Sequence, residues 1–148
     1  MPRSVSVDCG TERYAQTVSV GSHVFQSDEP ADVGGKDTGP NPHELLMGSL
    51  GACVNITVQM YAERHQLPLK GVRSALSYSR ALAENGPDSE SAVGMVDQID
   101  MEISFTGNLS GEQQQRLLDI AHHCPIHRML ISHVVINTTL LASTSHAA

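Results

Sequence analysis

Between Glu44 and Glu63 no charged side chain interrupts the chain, and the apolar positions recur with the period of a helix. Leu46, Leu50, Cys53, Thr57 and Tyr61 share one face, and Val54 and Val58 lie beside it. The start is marked as well. Asn41 can cap, Pro42 suits the first helical position, and Glu44, three residues after the cap, completes a capping box. A helix is therefore expected from Pro42 to about His65. With Gly48, Ser49, Gly51 and Ala52 allowing close packing, it is expected to be buried nearly all round.

On either side of this helix the period changes to that of strands. Thr17 to Val20 and His23 to Gln26 flank Gly21-Ser22, a pair suited to a two-residue hairpin. From Asp28 to Pro42 the chain is so dense in Gly, Pro, Asp and Asn that it reads as a long loop. After Pro68, strands are expected over Gly71 to Leu82 and Val93 to Thr106, separated by a polar loop from Ala83 to Ser91. In the second strand Ile99, Met101, Ile103 and Phe105 alternate with Asp100, Glu102, Ser104 and Thr106, the signature of a sheet with one wet face. Ser110 and Gln113 form a second capping box. The helix after it buries Leu117, Leu118, Ile120 and Ala121 before reaching His122-His123-Cys124-Pro125. The β-branched run Ile131 to Leu141 reads as a final strand. Strands, long helix, strands, helix and strand in that order imply an α+β fold, a largely antiparallel sheet covering a helix layer. No repeat or linker divides residues 1–148, so one domain is expected.

Composition narrows the function. The formal charge of -7 and a pI near 5.5, with no cluster of Lys or Arg, argue against nucleic acid as a partner. No run of eighteen apolar residues and no apolar leader is present, so no membrane partner is expected and the chain reads as cytoplasmic. Three cysteines, Cys9, Cys53 and Cys124, are an odd number for a reducing compartment, where a thiol serves catalysis, redox sensing or metal binding more often than a permanent disulfide. The bland alternative is a free Cys acting as a small buried hydrophobe.

A reactive thiol needs something that lowers its pKa from about 8.5. Cys53 is twelve residues past the presumed cap, where the helix dipole has faded, so a nearby cation would have to act. Cys124 precedes Pro125 and can cap a new short helix, with His123, His127 and Arg128 as nearby donors. A zinc site built from His122, His123, Cys124 and His127 is disfavoured. Adjacent helical residues point about 100° apart, and no second ligand pair at finger-like spacing exists.

The segment Thr38-Gly-Pro-Asn-Pro-His-Glu-Leu-Leu-Met-Gly-Ser-Leu-Gly-Ala-Cys53, with Cys124-Pro-Ile-His127, resembles the paired cysteine motifs of the OsmC/Ohr family, and the element order agrees along nearly the whole chain. Gly39-Pro40, Tyr61-Ala-Glu-Arg64 and Cys124-Pro-Ile-His127 are similar to the OsmC-like branch more than to the best known peroxidases. The resemblance implies an intertwined homodimer with a long buried central helix and two interfacial sites. It also implies a two-cysteine hydroperoxide reductase in which Cys53 is peroxidatic and Cys124 resolving. An external dithiol, such as a protein-bound lipoyl group, would reduce the disulfide. No metal, flavin or haem cofactor is implied.

Two positions depart from the family pattern. The carboxylate that peroxidases of the family place ten residues before the first cysteine is replaced here by His43, with Glu44 one step later, so Glu44 reads first as a capping residue and second as a catalytic partner. The family arginine is not marked by a motif. The loop before Asn41 holds Lys36 and no Arg, which leaves Arg13 on the first hairpin as a candidate supporting residue. A non-catalytic reading stays open beside the enzymatic one: a dimer of the same fold that binds a small apolar or thiol-bearing ligand. Cys9, in a polar amino-terminal stretch, has no counterpart in the motifs.

Overall fold

A computed structural model describes residues 3–82 and 94–142, so the polar loop expected at 83–91 lies outside the described residues. Strands β1 (Ser6–Cys9), β2 (Gln16–Val20) and β3 (His23–Ser27) form an antiparallel sheet in sequence order. The hairpin between β2 and β3 closes where the pattern placed it. Val20 pairs with His23, and Gly21 adopts φ 60°, a left-handed conformation that glycine reaches without steric cost.

The loop after β3 is organised by one carboxylate. Asp28 is almost fully buried. Its Oδ1 accepts the Glu29 amide at 2.8 Å, and its Oδ2 accepts the Thr38 hydroxyl at 2.9 Å and the amides of Lys36 and Thr38 at 3.1 and 3.2 Å. Burial alone would raise the pKa of this carboxyl, but the donors from Thr38, Glu29 and Lys36 together hold it below its ordinary value of 3.8. The Lys36 ammonium pairs with Glu12.

The loop delivers the chain to helix α1 (Pro42–Arg64), which begins with the expected box. The Glu44 amide donates to Asn41 Oδ1 at 2.9 Å, and the Asn41 amide to Glu44 Oε2 at 2.8 Å. Strands β4 (Leu69–Leu82) and β5 (Met95–Gly107) form a second, two-stranded antiparallel sheet in which Val72 pairs with Phe105, Leu76 with Met101 and Tyr78 with Ile99. These residues occupy the face that packs on α1, and Arg73, Ser77, Asp100 and Glu102 occupy the wet face. Gly51 is buried at the contact. A Cβ there would lie 2.9 Å from Leu76 Cδ1, so the glycine allows helix and sheet to approach closely.

Helix α2 (Gly111–Ala121), opened by the Ser110/Gln113 box, lays Leu117 and Ala121 against α1, and a short helix α3 (Pro125–Leu130) follows. The core is Leu50, Val54, Val58 and Ala62 of α1 with Leu117, Ala121 and Cys124.

Two expectations are corrected. The run Ile131 to Leu141 forms no strand: residues 133–142 pair with nothing among the described residues, and Ile136 and Leu140 are 83% and 96% exposed. Composition supplied β-branched residues, but a strand also needs an edge to pair with. Nor is α1 buried all round within this chain, since only its inner face is covered and Ile56 and Met60 are more than half exposed. By length and composition α1 is apolar enough to cross a membrane, a test that the core helix of a soluble protein also passes. The expected α+β architecture holds, divided into two antiparallel sheets in place of one.

Candidate functional site

Cys53 sits in the middle of α1, one turn beyond Leu50, and its carbonyl accepts the Thr57 hydroxyl at 2.8 Å. The opposing wall is the joint between α2 and α3. Leu117 and Ala121 hold α2 on α1, and Arg116 adds a long-range tie, its Nε donating to the Tyr61 hydroxyl at 3.0 Å with the guanidinium over the same ring. Three residues past Ala121 the chain leaves helical conformation at Cys124 (φ -65°, ψ 143°), and Pro125 starts α3. Cys124 is its N-cap, as the Cys-Pro order suggested. Of the donors expected nearby, the one that reaches the sulfur is the His127 amide, 3.1 Å from Sγ.

The fold thereby brings two residues 71 positions apart into contact. Cys53 packs against the buried cluster that contains Cys124, and both are free thiols. Cys124 is fully buried and Cys53 partly exposed. Burial pushes the Cys124 thiol above its ordinary pKa. The His127 amide pulls it down, and the hydrogen bond and charge of Cys53 push it up again, so the net direction is up. At neutral pH Cys124 is therefore held as the thiol.

Between the elements that carry the two cysteines and β5 is a cavity of about 450 Å³, walled by Met47 and Leu50 of α1, Ile99 of β5, and His127 and Leu130 of α3. At its rim the His43 ring stacks on Tyr78 with centroids 4.4 Å apart, and the Tyr78 hydroxyl donates to Asp97 at 2.7 Å. That bond pushes the Tyr78 pKa above its ordinary value of 10.0.

The candidate supporting residues are placed differently from one another. His43 faces the cavity. Glu44 is engaged in the capping box and lines a separate groove with Asn55 and Ser74. Arg13 lies in the turn between β1 and β2, its guanidinium over the Tyr14 ring and beside Gly34, and among the described residues no hydrogen bond or ion pair links it to either thiol. Cys9 is exposed at the end of β1. No three His, Cys, Asp or Glu side chains converge as a metal site would require, among the described residues. His122 and His123 are exposed, and His123 Nδ1 contacts the Asp119 carbonyl at 2.8 Å. Sequence reading missed Tyr78, Asp97 and Leu130. Tyr78 could have been found, because the alternation of β4 places it on the same face as Leu76.

Comparison with known proteins bears on the fold and the family. The family model described as OsmC-like protein matches residues 35–139, which include both cysteines. No match to a curated protein sequence was found. Among solved structures, an osmotic stress induced and detoxification response protein from Psychrobacter arcticus aligns with a TM-score of 0.67 at 17% identity, over 84% of this chain and 85% of its own. The organic hydroperoxide resistance protein OsmC of Legionella pneumophila gives 0.65 at 18%, over 88% and 90%. OhrB of Bacillus subtilis, an organic hydroperoxide resistance protein, gives 0.57 at 21%, over 88% and 91%. At such identities the structures speak for the fold, and the sequence model, spanning well over half of the residues, speaks for descent: the chain belongs to the OsmC/Ohr family.

Proposed function

We propose that the protein is a single-domain, thiol-dependent hydroperoxide reductase, with Cys53 peroxidatic and Cys124 resolving. The observation that carries the reading is the contact between a partly exposed thiol and a fully buried, protonated one, in a chain with no disulfide. Cys53, as thiolate, attacks the O–O bond of the hydroperoxide; an alcohol or water leaves and Cys53 becomes a sulfenic acid. Cys124 condenses with it, expelling water and closing a Cys53–Cys124 disulfide, and an external dithiol such as a lipoyl group returns both to thiols. This chemistry needs no cofactor and suits a cytoplasmic setting. The hydroperoxide resistance named for the relatives from Legionella pneumophila and Bacillus subtilis supports the substrate class. A two-fold homodimer is part of the proposal, supported by the apolar side chains that this chain leaves open at Ile56, Met60, Ile131 and Ile136.

One observation favours a second reading, that of a non-catalytic dimer binding a small apolar or thiol-bearing ligand. Neither Arg13 nor Glu44 reaches Cys53 within the chain, and the cavity between α1, β5 and α3 is walled mainly by Met, Leu and Ile. Counting free thiols and measuring intact mass on a Cys9→Ser variant, before and after one equivalent of cumene hydroperoxide, separates the two. Loss of two thiols as an intramolecular disulfide is expected of the reductase. Unchanged thiols would leave the binder.

A further inference from the structure

In the second half of the cycle Cys124 must lose its proton before it can attack, and the structure makes that loss difficult. The sulfur is fully buried, and its surroundings favour the thiol. Attack requires an acceptor inside the protein, beside Cys124 and not already occupied. Among the described residues one buried side-chain polar atom has no hydrogen-bond partner, and it is Nδ1 of His127. An orphaned polar atom of this kind costs free energy, and native proteins retain few of them.

The position of His127 is fixed by the same residue that needs the base. Its backbone amide donates to Cys124 Sγ at 3.1 Å, in the first turn of a helix that Cys124 caps. The ring belongs to the same residue as that amide and also forms part of the cavity wall, so the one side chain stands between the turn that holds the thiol and the cavity. The other titratable groups facing this space do not duplicate it. The His122 ring lies 5.8 Å away between centroids and is on the exposed side; His43, Tyr78 and Asp97 stand across the cavity, where His43 is stacked on Tyr78 and Tyr78 is bonded to Asp97.

We infer that His127 is the general base of the resolving step, accepting the Cys124 proton as that sulfur attacks Cys53. The ring takes the proton from Cys124 S–H. The Cys124 sulfur forms a bond to the Cys53 sulfur while the S–O bond of the sulfenic acid breaks, and the departing hydroxide takes the proton back from His127 as water. The balance is one sulfenic acid and one thiol giving one disulfide and one water.

The inference rests on the two-cysteine reading, yet it can be tested without a hydroperoxide. In a Cys9→Ser background, Ellman's reagent first modifies the partly exposed Cys53. Attack by Cys124 on that mixed disulfide then releases a second thionitrobenzoate, which is followed by absorbance. Replacing His127 by Ala is expected to slow the second release on the order of 10²-fold, the usual contribution of a positioned base, while the first release changes little. Added imidazole is expected to restore much of the lost rate to the Ala variant. The His127→Asn variant, which keeps a polar side chain without a base, should be as slow as Ala. Because the amide contact to Cys124 is backbone, both variants keep the cap. Equal second-release rates in the wild type and both variants would overturn the assignment, and so would a loss that imidazole does not restore, which would show a structural role. If hydroperoxide leaves the thiols untouched while the thionitrobenzoate steps behave as expected, the peroxidase reading fails and the role of His127 stands.

Discussion

Leu117 joins the packing of the core to the chemistry of the thiols, and replacing it with Ala tests that link. The side chain is fully buried and packs in the cluster of Val54, Val58, Ala121 and Cys124, each also without accessible surface. A fully buried site packed between two helices has little freedom to collapse, so the lost transfer energy and the residual cavity should both be felt. Leu→Ala changes in rigid cores cost roughly 2.7–5 kcal/mol, and about 3 kcal/mol is the expectation here. For a chain of this length that lowers Tm by about 6–12 °C. The loss should also appear locally. Leu117 is a main anchor of α2 on α1, and Cys124 follows three residues after α2 ends, so weaker docking raises the population in which Cys124 is open. A change of 3 kcal/mol is about two orders of magnitude in an equilibrium constant. Alkylation of Cys124 by iodoacetamide, followed by peptide mass spectrometry in a Cys9→Ser background, should accelerate by up to that factor, with Cys53 changing far less. A destabilisation below about 1 kcal/mol, or unchanged labelling of Cys124, would refute the claim that this packing holds the second thiol in place.

Two further predictions concern the approach to α1. The folded pKa of Asp28 lies below its unfolded value near 3.8, so the stability it contributes is complete above that pH and is lost as pH falls through the folded value. Thermal melts of Asp28→Asn and the parent should therefore converge as pH drops below about 4, and curves that run parallel through that window would contradict the account. At the helix start, Asn41→Ala should cost about 1 kcal/mol in a denaturant titration. Glu44→Gln, which keeps the capping box, should lose less than about 1 kcal/mol and leave the rate of hydroperoxide-driven thiol loss unchanged; a tenfold slower rate would instead make Glu44 a partner in the chemistry.

What could be read from the chain alone was set by how local each cause is. Both capping boxes, the Gly21-Ser22 hairpin and the Cys-Pro cap depend on residues within four positions of one another, and all are present. The alternation in β5 marked the wet and dry faces because a sheet repeats every two residues. The contacts that were not legible join distant positions. Nothing near Tyr61 announces Arg116, and nothing near Asp28 announces Thr38 as a donor. The nearness of Cys53 to Cys124 was expected from a resemblance and from no spacing rule. The segment Ile131 to Leu141 shows the opposite failure, a strong local preference with no strand beside it to complete the ladder.

The assignment of peroxidatic and resolving roles is tested most directly by a single turnover with cumene hydroperoxide in three variants, all carrying Cys9→Ser. The account predicts that Cys124→Ser consumes one equivalent and accumulates a sulfenic acid on Cys53, trapped by dimedone and seen as a mass increase on the α1 peptide. It also predicts that Cys53→Ser consumes none, and that the variant with both thiols yields cumyl alcohol and an intramolecular disulfide. Hydroperoxide consumption that survives Cys53→Ser, or a trapped sulfenic acid on Cys124 in place of Cys53, would contradict it.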